Sequence, residues 1–251
     1  MRQLAGTWVS ALLAVGAVAT TAGAGGSTSP PLTVFAAASL TEVFKGYDPA
    51  QRYSFSGSNT LEMQLRQGAP ADLFASASPV NTQRLYAAKL VEKPVTFTLN
   101  RLALIVPRGN PAGIRSVYDL QRTGVKLVVA NASVPVGAYT RTVLGKMGLL
   151  SSVLPNVVSQ ESDVKAVTGK VALGQADAGF VYLTDARAVA GSVTVIHVPA
   201  WAQPRVRYEI AVVARSTQKV AARAWIKALL SGRGQAVLRA AGFLPIPKAA
   251  S

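Results

Sequence analysis

The sequence predicts an α/β protein of parallel-rich sheets covered by helices, arranged as two lobes with a cleft between them. Three observations support this. Short apolar runs alternate with amphipathic helical segments along the chain. Both halves carry the same coarse series of strand, turn, helix and strand. Two proline-containing segments, Pro107 to Pro111 around Arg108-Gly109-Asn110, and Ala202-Gln203-Pro204-Arg205, read as a crossing out of one lobe and a return to it. Two lobes joined in this way leave a cleft, a common place for a ligand. The 251 residues suffice for two lobes of about 100 residues each.

The elements follow in order. Residues 1–24 read as a secretory signal peptide: Arg2 is the basic start, Leu4 to Ala19 is nearly free of polar residues, and Ala22-Gly23-Ala24 is a small-x-small cleavage pattern. Residues 25–31 are a Gly/Ser/Thr/Pro-rich leader. Leu32 to Ala36 is a buried strand, and a helix follows from Ser39 until Gly46-Tyr47-Asp48-Pro49 breaks it. Tyr53 to Phe55 is a strand, Asn59 to Arg66 a helix, Asp72 to Ala75 a strand and Val80 to Ala88 a helix. Leu102 to Val106 is an apolar run stopped by Pro107. A short helix is expected over Gly113 to Leu120, a strand over Lys126 to Ala130, and helices over Gly137 to Met147 and Asp163 to Leu173. Ala178 to Leu183, Val193 to Val198 and Tyr208 to Ala214 are strands, and Lys219 to Leu230 is a helix. The expected division is 32–106 and 206–251 for the first lobe and 107–205 for the second.

Composition removes several chemistries. With no Cys there is no disulfide, thiolate metal site or Cys nucleophile, and with one His a multi-His zinc centre is excluded. Half the residues are apolar and 15% are charged, which is globular rather than disordered. The net charge of +15 raises nucleic acid as a partner. The basic residues are spread evenly, however, with no two adjacent and no stripe alternating with aromatics. After Glu209 the chain carries seven basic residues and no acidic one, a solvated face or a surface that meets a membrane protein.

Three junctions share one physical feature. Ser39 to Glu42 fits an S-x-x-E capping box directly after a strand, and Asn59 to Glu62, behind Gly57-Ser58, resembles a second. Val134-Pro135-Val136-Gly137 places a proline in a first helical turn. A weaker start lies at Ser162-Asp163-Val164. A helix N-terminus leaves backbone N–H groups unpaired and carries about half a positive charge, which together make an anion site without a formal cation.

Thr33-Val34-Phe35-Ala36-Ala37-Ala38-Ser39-Leu40-Thr41 resembles the opening of molybdate-binding proteins of ABC uptake systems. So do Phe55-Ser56-Gly57-Ser58-Asn59-Thr60-Leu61, Gln67-Gly68-Ala69-Pro70-Ala71-Asp72-Leu73-Phe74, Val134-Pro135-Val136-Gly137, Glu161-Ser162-Asp163-Val164-Lys165 and Gly179-Phe180-Val181-Tyr182-Leu183-Thr184-Asp185-Ala186. The blocks occur in family order over nearly the whole mature chain. The resemblance implies the periplasmic-binding-protein fold of the second topological type, with a hinge and an oxyanion held at helix N-termini. It implies that Ser39 and Ser58 each give a hydroxyl and a backbone N–H, Val136 and Val164 backbone N–H groups, and Tyr182 its phenol. These residues would hold molybdate, and tungstate as well, through its oxygens, with no protein ligand on the metal. The resemblance also implies no cofactor, a monomer, export to the periplasm or cell envelope, a membrane permease as partner, and no enzymatic reaction. Asp163 is expected to turn away from the anion and cap its own helix.

Rival readings stay in view. A fully ionised tetrahedral anion needs only donors, whereas monohydrogen phosphate needs an acceptor for its proton, and leaving that proton unpaired costs roughly 1–3 kcal/mol. Sulfate passes that filter, so sulfate or phosphate is the alternative ligand. Ser162-Asp163-Val164-Lys165 is formally the S-x-x-K of a serine hydrolase, but S-D-N and K-T-G companions are absent and Arg122-Thr123-Gly124 is the nearest imitation. His197, Trp201 and Trp225 are expected to be packing residues, and nothing ties Asp72 to Asp185 as a carboxylate pair.

Overall fold

Two five-stranded sheets share one plan. The structure, a computed structural model, describes residues 30–246; the signal peptide and most of the leader lie outside the described residues. The first sheet has the order β2-β1-β3-β10-β4, with β1 Thr33–Ala37, β2 Arg52–Ser56, β3 Leu73–Ser76, β4 Val95–Asn100 and β10 Val206–Val212. The second has the order β7-β6-β8-β5-β9, with β5 Leu102–Pro107, β6 Leu127–Ala130, β7 Val157–Glu161, β8 Ala178–Tyr182 and β9 Val193–His197. In each, three strands are parallel, and the fourth runs antiparallel to the parallel set and to the edge strand beyond it.

The parallel centres are continuous apolar runs because helices cover both faces. Leu73–Ser76, Leu127–Ala130 and Ala178–Tyr182 are buried throughout. Helices α1 Thr41–Tyr47, α2 Ser58–Arg66 and α3 Pro79–Ala87 serve the first sheet; α4 Pro135–Lys146, α5 Leu150–Val153, α6 Val164–Ala172 and α7 Leu183–Ala188 belong to the second segment; α8 Lys219–Leu230 and α9 Gly232–Ala240 follow the return. The segment expected as a helix over Gly113 to Leu120 is a 3₁₀ turn, Val117–Gln121.

The strand Leu102–Pro107 corrects the expected division. It pairs with β8 and β9 in the second sheet, so the chain leaves the first sheet at Arg101, before the apolar run and not at Pro107. Pro107 ends β5 instead of marking the crossing. The antiparallel strand of each sheet is therefore supplied by chain that has just left the other: β5 follows β4, and β10 follows β9. The sequence reading passes over β4, β7, α7 and α9. β7 is an edge strand with the polar run Ser159-Gln160-Glu161, which hides it, whereas β4 carries a strand alternation around buried Phe97.

Two further expectations change. His197 ends the edge strand β9 on its solvent side and is exposed, not packed. Trp201 sits in a short 3₁₀ turn ahead of β10 and is 60% exposed. Trp225 does pack: its ring meets Phe44 and Tyr47 edge-on, and its Nε1 donates to Asp48 at 2.9 Å. Asp72 is structural. Its carboxylate accepts from the Thr33 N–H at 2.8 Å and from the Ser216 hydroxyl at 2.6 Å, tying β1 to the loop after β10.

Helix α6 is positioned by a glycine in β8. A Cβ on Gly179 would lie 2.8 Å from Val167 and 2.9 Å from Val171, so only a missing side chain lets the helix seat this closely. Overpacking of this kind costs about 1–3 kcal/mol. Gly179→Ala is expected to lower the unfolding free energy by that amount, read by urea unfolding, while a control alanine at Gly169, which has open space around it, should cost nothing of this origin.

Candidate oxyanion site

The five residues singled out for ligand contact line one pocket. Ser39 and Ser58 come from the first sheet's connections, and Val136, Val164 and Tyr182 from the second's; Gly57, Asp163 and neighbouring backbone complete the wall. No Lys, Arg or His lines the pocket.

Each residue is placed by the end of a parallel strand. Ser39 lies in the 3₁₀ turn Ala38–Leu40 between β1 and α1. Ser58 is the first residue of α2, whose cap is Gly57. Pro135 opens α4 as expected, which puts Val136 second, and Val164 opens α6. Tyr182 ends β8 and precedes α7. At these starts the backbone N–H groups of Val136, Gly137, Val164 and Lys165 have no acceptor among the described residues. Unpaired first-turn N–H groups are what an anion requires.

Neither capping box forms. Ser39 and Asn59 make no cap hydrogen bond to their helices, and the glutamates are used elsewhere. Glu42 pairs with Lys165 at 3.2 Å, and buried Glu62 pairs with Arg66 at 3.0 Å and accepts from Asn81 at 2.8 Å. The serines are thus free of their own helices and are oriented by neighbours. The Ala77 N–H donates to Ser58 Oγ at 3.1 Å. Ser39 Oγ lies 2.8 Å from the Tyr208 hydroxyl, which also accepts from Asn100 Nδ2 at 3.4 Å. The Asn100 amide is held by the Arg101 N–H on its oxygen, and either hydroxyl of the Ser39–Tyr208 pair can donate. Ser58 accepts from behind and keeps its proton for the cleft.

Tyr182 is the third hydroxyl. It is buried and has no hydrogen-bond partner. Burial holds its phenol well above the ordinary value, with Tyr208 adding to the rise, so it stays a donor. Its ring meets Tyr208 edge-on at 5.7 Å, and Tyr208 in turn meets Phe97 and Phe243. A buried polar group without a partner calls for an explanation, and a hydroxyl aimed at a ligand supplies one.

Asp163 behaves as expected. Its Oδ1 accepts from the Ala166 N–H at 3.0 Å, which caps α6 and turns the charge into the helix. The S-x-x-K reading has no geometry behind it, since Lys165 is engaged by Glu42 and not by Ser162. Asp72 immediately precedes β3 of the first sheet, whereas Asp185 lies in α7 after β8 of the second. The sequence reading missed Tyr208, Asn100 and the Ala77 N–H, which orient the donors without touching the pocket's centre. It also missed contacts across the cleft: Asn59 Nδ2 donates to Ser133 Oγ at 3.3 Å, and a Cβ on Gly57 would stand 2.5 Å from the Ser162 carbonyl.

The chain is similar to several known proteins. The molybdate-binding protein ModA of Mycobacterium tuberculosis is 38% identical, with 94% of this chain and 95% of that protein covered. The periplasmic molybdate-binding protein of Azotobacter vinelandii shares the fold, with a TM-score of 0.76 at 21% identity over 86% of this chain and 100% of that one. The sulfate-binding protein SubI of Mycobacterium tuberculosis shares it too, with a TM-score of 0.75 at 20% identity over 87% and 88%. No helix among the described residues is long and apolar enough to cross a membrane. Residues 22–244 match the family described as bacterial extracellular solute-binding protein, and the chain belongs to that family: a solute-binding protein of ABC transport, not an enzyme.

Proposed function

We propose that the protein captures molybdate, and tungstate with it, outside the cytoplasm and delivers the anion to the membrane permease of an ABC importer. The observation that carries this reading is the convergence of hydroxyl and N–H donors from both sheets on a pocket that no cationic side chain lines. Ser39, Ser58 and Tyr182 offer hydroxyls, and Val136 and Val164 offer N–H groups. A fully ionised tetrahedral oxyanion uses donors on every side, and buried donors make charge-assisted hydrogen bonds stronger than neutral ones. The identity to ModA supports molybdate in particular.

The mechanism is capture followed by closure. The +15 charge draws anions to the surface, and the neutral donors select among them. Closure of the two lobes, 32–100 with the return segment from 206 and the intervening 102–197, buries the anion and presents both lobes to the permease. Asn59 with Ser133 and Glu42 with Lys165 are the contacts that closure makes. Export follows from the signal peptide read at residues 1–24, and the protein acts as a monomer without a cofactor or nucleic acid. A second reading, sulfate, is favoured by the likeness of fold to SubI and differs only in the size of ion the donors accommodate.

Calorimetry with molybdate, tungstate, sulfate and phosphate separates these readings. Molybdate and tungstate are expected to bind far more tightly than sulfate, and phosphate not at all; sulfate binding as tight as molybdate would overturn the assignment. Ser39→Ala and Ser58→Ala should each weaken molybdate binding by about 1.5–3 kcal/mol, the range for a hydrogen bond to a charged group, or roughly tenfold to a hundredfold. Tyr182→Phe should act with opposite signs on two readouts. Removing a buried hydroxyl without a partner raises the melting temperature of the ligand-free protein, and removing a ligand donor weakens molybdate binding. A fall in both, or no change in affinity, would show that the hydroxyl serves packing alone.

A further inference from the structure

The second segment carries a buried carboxyl that the anion site does not use. Asp185 is 2% exposed, and its Oδ2 has no hydrogen-bond partner. It lies in the first turn of α7, three residues after Tyr182. It lines a side cavity with Ser39, Glu42, Lys165 and Arg187, distinct from the oxyanion pocket and about 510 Å³ in volume. The carboxyl's cavity and the anion pocket thus share Ser39 as a common wall.

We propose that Asp185 sets the affinity of the oxyanion site by taking up a proton as a dianion is captured. This rests on the oxyanion reading above. Ionised, Asp185 repels a dianion held beyond Ser39 and Tyr182; protonated, it does not. The coupling is reciprocal: the dianion favours the protonated carboxyl, and the proton favours the dianion.

The surroundings of Asp185 compensate its charge only in part: the Tyr182 backbone and its own N–H favour the ionised form, while Oδ2 has no partner. Lys165 on α6 is the nearest helper, but its ammonium is engaged by Glu42 of α1 and is partly exposed. Asp163 on α6 adds a like charge. Tyr208 of β10 and Tyr182 of β8 are buried neutral phenols whose ionisation Asp185 opposes. Arg187, on its own helix, lines the same cavity without a carboxylate partner among the described ion pairs. Burial, opposed by Lys165, pushes the carboxyl up to about 7. Ligand-free protein near neutrality is thus a mixture of both forms. Affinity should be highest below that range, fall as pH rises through it, and level off above the range of the liganded form.

The test is calorimetry of the full chain with sodium molybdate from about pH 6 to pH 8.5, in two buffers of different ionisation enthalpy. The expected result is uptake of a few tenths of a proton near pH 7 and binding at least threefold tighter at pH 6 than at pH 8.5. Asp185→Asn should abolish the uptake and flatten the profile. His197 is exposed on the edge strand β9 of the second sheet, so it cannot account for a dependence that Asp185→Asn removes. If that variant fails to fold, Lys165→Met serves instead: losing the ammonium must move the midpoint to higher pH, and an unmoved midpoint overturns the proposal. Tight binding without pH dependence, or a pH dependence retained by Asp185→Asn, overturns it alone. Absence of molybdate binding at every pH overturns the oxyanion reading and this inference together. Because its native value is raised, Asp185 withholds stability as pH climbs from about 4 through about 7. The melting temperature of Asp185→Asn should therefore gain on the native protein between pH 5 and pH 8.5, and an equal difference at both counts against the proposal.

Discussion

The hydrogen bond between Ser39 and Tyr208 joins the anion site to the path of the chain. Ser39 follows β1, the centre of the parallel set in the first sheet, and Tyr208 belongs to β10, which has just returned from the second. Tyr208 accepts from Asn100, the last residue of β4, where the chain departs. The departing strand, the returning strand and the donor serine are thus bound by two contacts. The same phenol touches the Tyr182 ring, which extends the link to the end of β8. Both crossings are therefore held to the Ser39 hydroxyl through one phenol.

Strand exchange explains why so few residues achieve this. Each sheet borrows its antiparallel strand from chain that has left the other, so both crossings run through the sheets and not around them. The parallel strands of both sheets can then present helix N-termini to a shared pocket, the usual ligand position at the carboxyl ends of parallel strands. Glycine and small residues permit the close approach: Gly179 under α6, and Gly57 against the Ser162 carbonyl. Neutral donors suit this geometry because backbone N–H groups are fixed by the helix itself and need no long side chain to be ordered.

Much of the site was legible in the sequence, for a physical reason. Strand-to-helix junctions with small residues and hydroxyls are local features, and Ser39, Ser58, Val136, Val164 and Tyr182 each stand at such a junction and meet in one pocket. What the sequence concealed depends on distant partners. The S-x-x-E and N-x-x-E spacings at Glu42 and Glu62 suggested capping boxes, yet Lys165, Arg66 and Asn81 claim those carboxylates. Tyr208 looked like one more strand residue because its partners, Ser39 and Asn100, lie far from it in sequence. The apolar run at Leu102–Pro107 fits either sheet by composition, and only its pairing with β8 and β9 assigns it. Edge position exposes His197, which no local pattern announces.

A site for a dianion must also manage the carboxylates around it, and three lie close. Each is handled by different physics. Asp163 points into α6 and spends its charge on the Ala166 N–H, which stabilises the helix whose N-terminus faces the pocket. Glu42 reaches across to Lys165; with side chains 70% and 33% exposed, the pair adds little to stability, and its consequence is to cancel charge at the cleft's mouth. Asp185 has no dedicated cation, and burial, with Asp163 adding a like charge, suppresses its ionisation. The first two have partners for their charge. The third is neutral only while it holds a proton, which makes it the carboxyl through which the medium's acidity reaches a pocket built from groups that do not titrate.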